Sequence, residues 1–151
     1  MEKHFRSIAL IQEVGDGPTG WLLRWQPSQN QWQFIIGERL NKESFRETIQ
    51  REVGWQLNLD PKSDYLVSNM AQLSMEYVDE NPNAELHRHV AVSFYQVHIY
   101  RRQVLAQIDA DQANRWVSAA EICEGKTLDD QAIHPRVVEW INKWQIVQPW
   151  Q

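Results

Sequence analysis

The sequence has 151 residues, enough for one domain spanning residues 1–151 and burying roughly two-thirds of the surface an unfolded chain exposes. Hydrophobic residues make up 42% and charged residues 23%, near the averages for soluble globular proteins. No apolar run approaches the ~18 residues of a membrane span. The net charge of −5, with no basic run longer than Arg101-Arg102, argues against an extended nucleic-acid surface. The apolar run Ile8 to Ile11 is too short for a secretory signal, so a cytoplasmic chain is expected. The lone Cys123 permits no internal disulfide and no cysteine-based zinc site, and reads as a small apolar filler.

In chain order, His4 to Val14 predicts a strand closed by the turn chemistry of Gly15-Asp16-Gly17-Pro18. Trp21 to Trp25 and Trp32 to Ile36 flank a polar stretch and predict a hairpin. Phe45, Ile49 and Val53 then recur every four residues among charged neighbours, which marks an amphipathic helix from about Glu43 to Gln56. Tyr65 to Tyr77 and His87 to Tyr100 are rich in β-branched and aromatic residues and predict two long antiparallel strands around the loop Asp79 to Asn83. A short strand at Arg115 to Val117 leads into a helix started by Ser118 and Glu121, which have capping-box spacing. Pro135 opens a terminal helix with the apolar face Val137, Val138, Trp140, Ile141 and Trp144. Packing accounts for most of the eight tryptophans. The pattern describes an α+β domain with a mixed sheet between helices, a frame open to many functions.

The informative stretch runs from Gly37 to Leu59. Gly37, Glu43, Arg51, Glu52, Val53 and Leu59 stand in register with a pattern of Gly, five residues, Glu, seven residues, Arg-Glu, an aliphatic, one residue, Glu-Glu, one residue, Gly, and an aliphatic. That pattern is the Nudix box, and the chain resembles a Nudix domain. Trp116-Val-Ser followed by Glu121-Ile122 also resembles the family's C-terminal part. The resemblance implies a Nudix-type α/β/α sandwich around a mixed sheet. In the family, the Arg-Glu glutamate and the Glu-Glu pair share one helix face and hold the divalent cations that clamp a diphosphate. Here Trp55 and Gln56 replace the pair and Asn58 replaces the late glycine. Glu52 alone supplies a carboxylate there, so metal binding at this helix is expected to be weak or absent.

Three readings follow. The first is a Nudix-like domain, weakly active or inactive as a hydrolase, that binds a nucleotide-type ligand or a protein partner. Gly37, Arg39, Trp55 and Gln56 are its candidate ligand-binding residues. The second is an active metal-dependent hydrolase of a nucleoside diphosphate linked to another moiety, with Mg²⁺ or Mn²⁺ at Glu52 and with Arg51 and Glu43 beside it. Missing ligands would then come from Glu43, Glu47, Glu76, Asp79 or Glu85, or from His87 and His89 on one side of a strand. The third is an interaction domain, such as a homodimer, with Trp55 or Trp150 in the contact. Arg51 is expected to hold the loop from Gly37 into the helix. Glu52 is either a remnant ligand or a partner of Arg24, Arg39 or another base. Gly37 is expected to supply conformational freedom at the strand exit. For Trp55, filling the former metal cavity is favoured over stacking on a ligand ring.

Overall fold

The computed structural model describes residues 3–13, 20–79 and 88–148. Its elements in chain order are β1 (Lys3–Ile11), β2 (Trp21–Gln26), β3 (Gln31–Gln33), β4 (Ile35–Glu38), α1 (Phe45–Leu57), β5 (Leu66–Val67), β6 (Leu73–Asp79), β7 (Arg88–His98), α2 (Arg102–Ala110), β8 (Asn114–Val117), α3 (Ala119–Glu124) and α4 (Pro135–Trp144). The α+β class with a mixed sheet agrees with the sequence reading. The expected turn at Gly15 to Pro18, most of the loop from Asp79 to Asn83, and Glu85, His87 and Trp150 lie outside the described residues. No helix among the described residues is long and apolar enough to cross a membrane. The chain forms two compact units, one of residues 1–10 and 35–101, the other of residues 11–34 and 102–151.

The first unit holds a five-stranded sheet in the order β4-β1-β7-β5, with β6 also paired to β7. β1 and β4 run antiparallel, placing Ser7 opposite Gly37 and Arg6 opposite Glu38. The single strand expected from Tyr65 to Tyr77 is divided. Ser68 N–H bonds to Gln96 O and Gln72 N–H to Phe94 O, so four chain steps on one side face two on the other. Residues 69–71 leave the ladder as a bulge, and pairing resumes with Leu73 opposite Phe94.

Helix α1 starts where its orphan N–H groups find partners. Ser44 Oγ accepts from Glu47 N–H at 3.1 Å, and Ser44 N–H donates to Glu47 Oε1 at 3.0 Å. This reciprocal box, present in the sequence as Ser-Phe-Arg-Glu, contributes about 1 kcal/mol and starts the helix at Phe45 rather than Glu43. Ile49, Val53 and Leu57 repeat every four residues and are buried, and the helix contacts β4, β5 and β7. Gly54 keeps the helix close to its neighbours, since a Cβ there would lie 2.8 Å from the Tyr65 hydroxyl. That hydroxyl donates to Gln50 O, and burial pushes the phenol up to about 12. The helix ends at Asn58 in the left-handed region, φ 56° and ψ 50°. Asparagine is among the few residues that adopt this conformation readily, so replacing the box's late glycine leaves the backbone turn available.

The second unit holds the sheet β3-β2-β8 and helices α2, α3 and α4. The hairpin β2–β3 sets Trp25 opposite Trp32, with rings edge to face at 5.3 Å. Its second arm, expected to reach Ile36, ends at Gln33. The buried Phe34 separates β3 from β4, which pairs with β1 instead. Helix α2 was not anticipated. Val104 and Ile108, four residues apart, are its buried stripe, too narrow to stand out among polar neighbours. Ser118 and Glu121 form the expected box on α3, and α4 buries Val137, Val138, Trp140 and Ile141 while leaving Trp144 exposed. The Cys123 thiol lies near Val147 O at 3.6 Å and is raised by burial, consistent with a filler.

Candidate functional site

The candidate site lies wholly in the first unit, where β4 meets α1. Gly37 lies within β4, and its φ is outside the left-handed region. The expected conformational role is therefore corrected to one of space. A Cβ at Gly37 would stand 2.9 Å from Glu52 Cβ and 3.2 Å from Thr48 Cγ2, so the missing side chain lets α1 approach the strand.

Arg51 ties the segment after Gly37 to the helix. Its Nε donates to Glu43 Oε2 at 2.8 Å and its Nη2 to Glu43 Oε1 at 3.1 Å, a bidentate pair. Nη2 also donates to Glu38 O at 2.9 Å. Glu43 Oε1 accepts Leu40 N–H at 2.9 Å as well, closing the loop at its other end. The hydrogen bonds from Arg51 hold the Glu43 carboxyl below the usual range, and those to Glu43 raise the guanidinium in turn. Thr48, absent from the sequence reading, donates to Ser44 O at 3.0 Å and lies 3.4 Å from Glu43 Oε1.

Both Glu52 oxygens are engaged. Arg51 Nη1 donates to Oε2 at 3.0 Å, and Gln56 Nε2 donates to Oε1 at 2.9 Å from one turn along the helix. Gln56 Nε2 also lies 3.4 Å from Ile36 O. The base beside Glu52 is thus its sequence neighbour. Arg24 belongs to the other unit, bonded to Asn114 and 3.6 Å from Asp111, and Arg39 stacks on Phe5. Arg51, Glu43 and Glu52 side chains retain only 16 to 20% exposure, so these ion pairs are shielded more than surface pairs.

Trp55 overturns the favoured expectation. It is 66% exposed and fills no cavity, because its ring leaves the helix on the solvent side, under the Arg51 guanidinium at 4.7 Å. Beside it a groove of about 480 Å³ is lined by Arg51, Gly54, Trp55, Asn58, Leu59 and Pro61. The structure thus brings Gly37 and Gln56 to Glu52 and Trp55 to Arg51, but leaves Arg39 outside this cluster. Of the reserve ligands, Glu47 is held by the helix cap and Glu76 by Lys3 at 2.9 Å. Among the described residues no group of three or more His, Cys, Asp or Glu side chains could hold a metal ion.

No protein-family profile matches the sequence, and no curated protein matches it. Solved structures do. The C. elegans Ap4A hydrolase is 12% identical, with 97% of this chain and 98% of that chain covered and a TM-score of 0.59. A mutT/nudix family protein from Listeria innocua is 12% identical, with 97% and 94% covered and a TM-score of 0.57. The chain has the Nudix fold. Shewanella oneidensis NrtR, also solved complexed with a 27mer DNA, matches at 13% identity and a TM-score of 0.63, with 95% of this chain and 63% of that chain covered. Identities this low show shared fold alone. Within the Nudix fold, the positions that resemble the box lie where β4 runs into α1, and their carboxylates are occupied by Arg51 and Gln56.

Proposed function

We propose that residues 1–151 act as one Nudix-fold domain whose box helix does not hold the divalent cation of hydrolysis, and which recognises a nucleotide-type ligand beside Trp55. One observation carries the first half: both oxygens of Glu52 accept hydrogen bonds from Arg51 and Gln56. Mg²⁺ and Mn²⁺ demand several hard oxygen ligands, and a diphosphate substrate needs more than one carboxylate's worth of opposing charge. A cation arriving at Glu52 would gain one carboxylate while facing a guanidinium 3.0 Å away. Trp55 offers no ligand atom, and the Gln56 amide nitrogen points its protons at Glu52. The donor set does not fit the metal.

The second half rests on Trp55. Arg51 covers one side of its ring, and 66% exposure leaves much of the rest free above a groove of about 480 Å³. Stacking a base on such a ring is worth about 1–3 kcal/mol. A cytoplasmic setting suits a chain with a single cysteine. The net charge of −5 favours a small ligand over extended nucleic acid.

Calorimetric titration with Mg²⁺ and Mn²⁺, alongside product release from ADP-ribose, NADH, dinucleoside polyphosphates and nucleoside triphosphates, tests the reading. We expect no saturable metal binding and no turnover, with metal binding gained in a Trp55→Glu, Gln56→Glu double variant. Metal-dependent turnover that falls in Glu52→Gln would overturn it. That outcome would support the second reading, a metal-dependent hydrolase of a nucleoside diphosphate linked to another moiety. Glu43, Arg51 and Glu52, which stand in register with the box, favour that alternative. Self-association abolished by Trp55→Ser would instead mark the exposed ring as a homodimer or partner contact.

A further inference from the structure

A second cavity in the same unit, about 610 Å³, is lined by Lys3, His4, Phe5, Glu38, Arg39 and Asn41. Its chemistry is cationic in a chain of net charge −5. The Arg39 guanidinium lies 4.5 Å from the Phe5 ring centroid, and Lys3 Nζ lies 5.5 Å from the same centroid. Phe5 is braced from below by Phe45 in an edge contact at 5.8 Å, so the platform under Arg39 is anchored to the start of α1. The chain backbone fixes it further, with Arg39 N–H bonded to Phe5 O at 2.9 Å.

The acid in the pocket is already taken. Glu38 Oε1 lies 3.0 Å from His4 Nδ1 and 3.8 Å from Arg6 Nε. Lys3 pairs with Glu76 at 2.9 Å, an exposed contact that a competing anion can replace at little cost. Arg39 is different. Among the described residues its guanidinium meets no carboxylate, and its Nε–H is shielded from solvent without a hydrogen-bond partner. A planar cation with five donors, set over a ring and given no side-chain acceptor among the described residues, is an unfinished half of a bidentate pair. Asn41, in the left-handed region at φ 55°, adds an amide at the rim.

We propose that this pocket binds a phosphate-class oxyanion, with Arg39 as the bidentate donor and Lys3 as the second charge. A phosphate oxyanion matches two cations where an acetate matches one, and the cavity is too small and too short of basic residues to track a nucleic-acid backbone. The inference stands apart from the proposed function, since neither Glu52 nor Trp55 lines this pocket.

The test is a calorimetric titration of the full chain with inorganic pyrophosphate at constant ionic strength, with the Arg39 Nε–H resonance also followed by NMR in the parent and in Lys3→Gln. The expected result is a saturable shift, with affinity at least tenfold weaker in Arg39→Gln and at least threefold weaker in Lys3→Gln. Lys62→Gln, an exposed charge outside the pocket, should change it less than twofold. Melting of Arg39→Gln in the absence of pyrophosphate checks that the fold survives, and Lys3→Gln carries the test should it not. A non-saturable response, parental affinity in both pocket variants, or acetate binding as tightly as pyrophosphate would overturn the proposal.

Discussion

Helix α1 carries two faces with opposite lessons. The inward face is Thr48, Ile49, Val53, Gly54 and Leu57, all buried and set by a plain four-residue repeat. The polar edge is Arg51, Glu52, Trp55 and Gln56, partly exposed and joined by hydrogen bonds and a cation–π stack. Ile49, Val53 and Leu57 on the first face need only apolar volume, which many sequences can provide. The second keeps Arg51 paired with Glu43 and carries an indole and an amide at Trp55 and Gln56, the positions where the box it resembles has carboxylates. The exchange of Gln for Glu is close to isosteric, and Gln56 donates where a carboxylate would only accept. Arg51 thus faces both Glu43 and Glu52, and the Gln56 amide donates to Glu52 without adding a third negative charge.

Breaking the inward face should cost most. Ile49→Ala, at a fully buried position, is expected to destabilise by about 2–5 kcal/mol in urea unfolding, with the slope unchanged. Gly37→Ala should follow at about 1–3 kcal/mol, because its Cβ would sit 2.9 Å from Glu52 Cβ and push strand and helix apart. A Gly37→Ala protein as stable as the parent would remove close approach from the account of this glycine.

Most of this division was legible in the sequence. The repeat of Ile49 and Val53 and the Ser118–Glu121 cap each follow a local rule, and each stands where that rule puts it. What was not legible depends on partners distant in the chain. The break at Phe34 arises because the chain exchanges β2 for β1 as its partner, and the bulge at 69–71 because both flanking segments pair with β7 at a shifted register, which no local pattern records. The narrow stripe of Val104 and Ile108 hid α2 among polar residues. The position of Trp55 was misjudged for a similar reason: a large apolar residue next to a buried helix face is expected to pack inward. The Arg51 guanidinium gives the ring a surface to lie on outside.

Cutting the tie between the two faces should cost less than damaging the core. Arg51→Met removes the bidentate pair with Glu43 and the bond to Glu38 O, and is expected to destabilise by about 1–2 kcal/mol at pH 7. Its pH dependence is the sharper signature. The folded Glu43 carboxyl is depressed by Arg51, so its stabilisation is fully present above the unfolded value of about 4.3 and is lost as pH falls through the folded value. The gap between parent and Arg51→Met in unfolding free energy should therefore narrow from pH 5 toward pH 3. A gap that stays constant over that range would remove the Glu43 pair from the account.

The smallest expected effect on stability belongs to the most conspicuous residue. Trp55→Ala deletes an exposed ring that lies against Arg51, and exposed cation–π stacks contribute about 0.5–1 kcal/mol. Part of that is recovered as Arg51 keeps its three hydrogen-bonded partners, Glu43, Glu52 and Glu38 O, so a net loss near 0.5 kcal/mol is expected. A loss that small would leave the ring available for the ligand contact proposed for it. Should Trp55→Ala lose about 2 kcal/mol or more by thermal unfolding, the ring would be part of the structural frame. The contrast between the two faces of α1 would then have to be redrawn with Trp55 on the inward side.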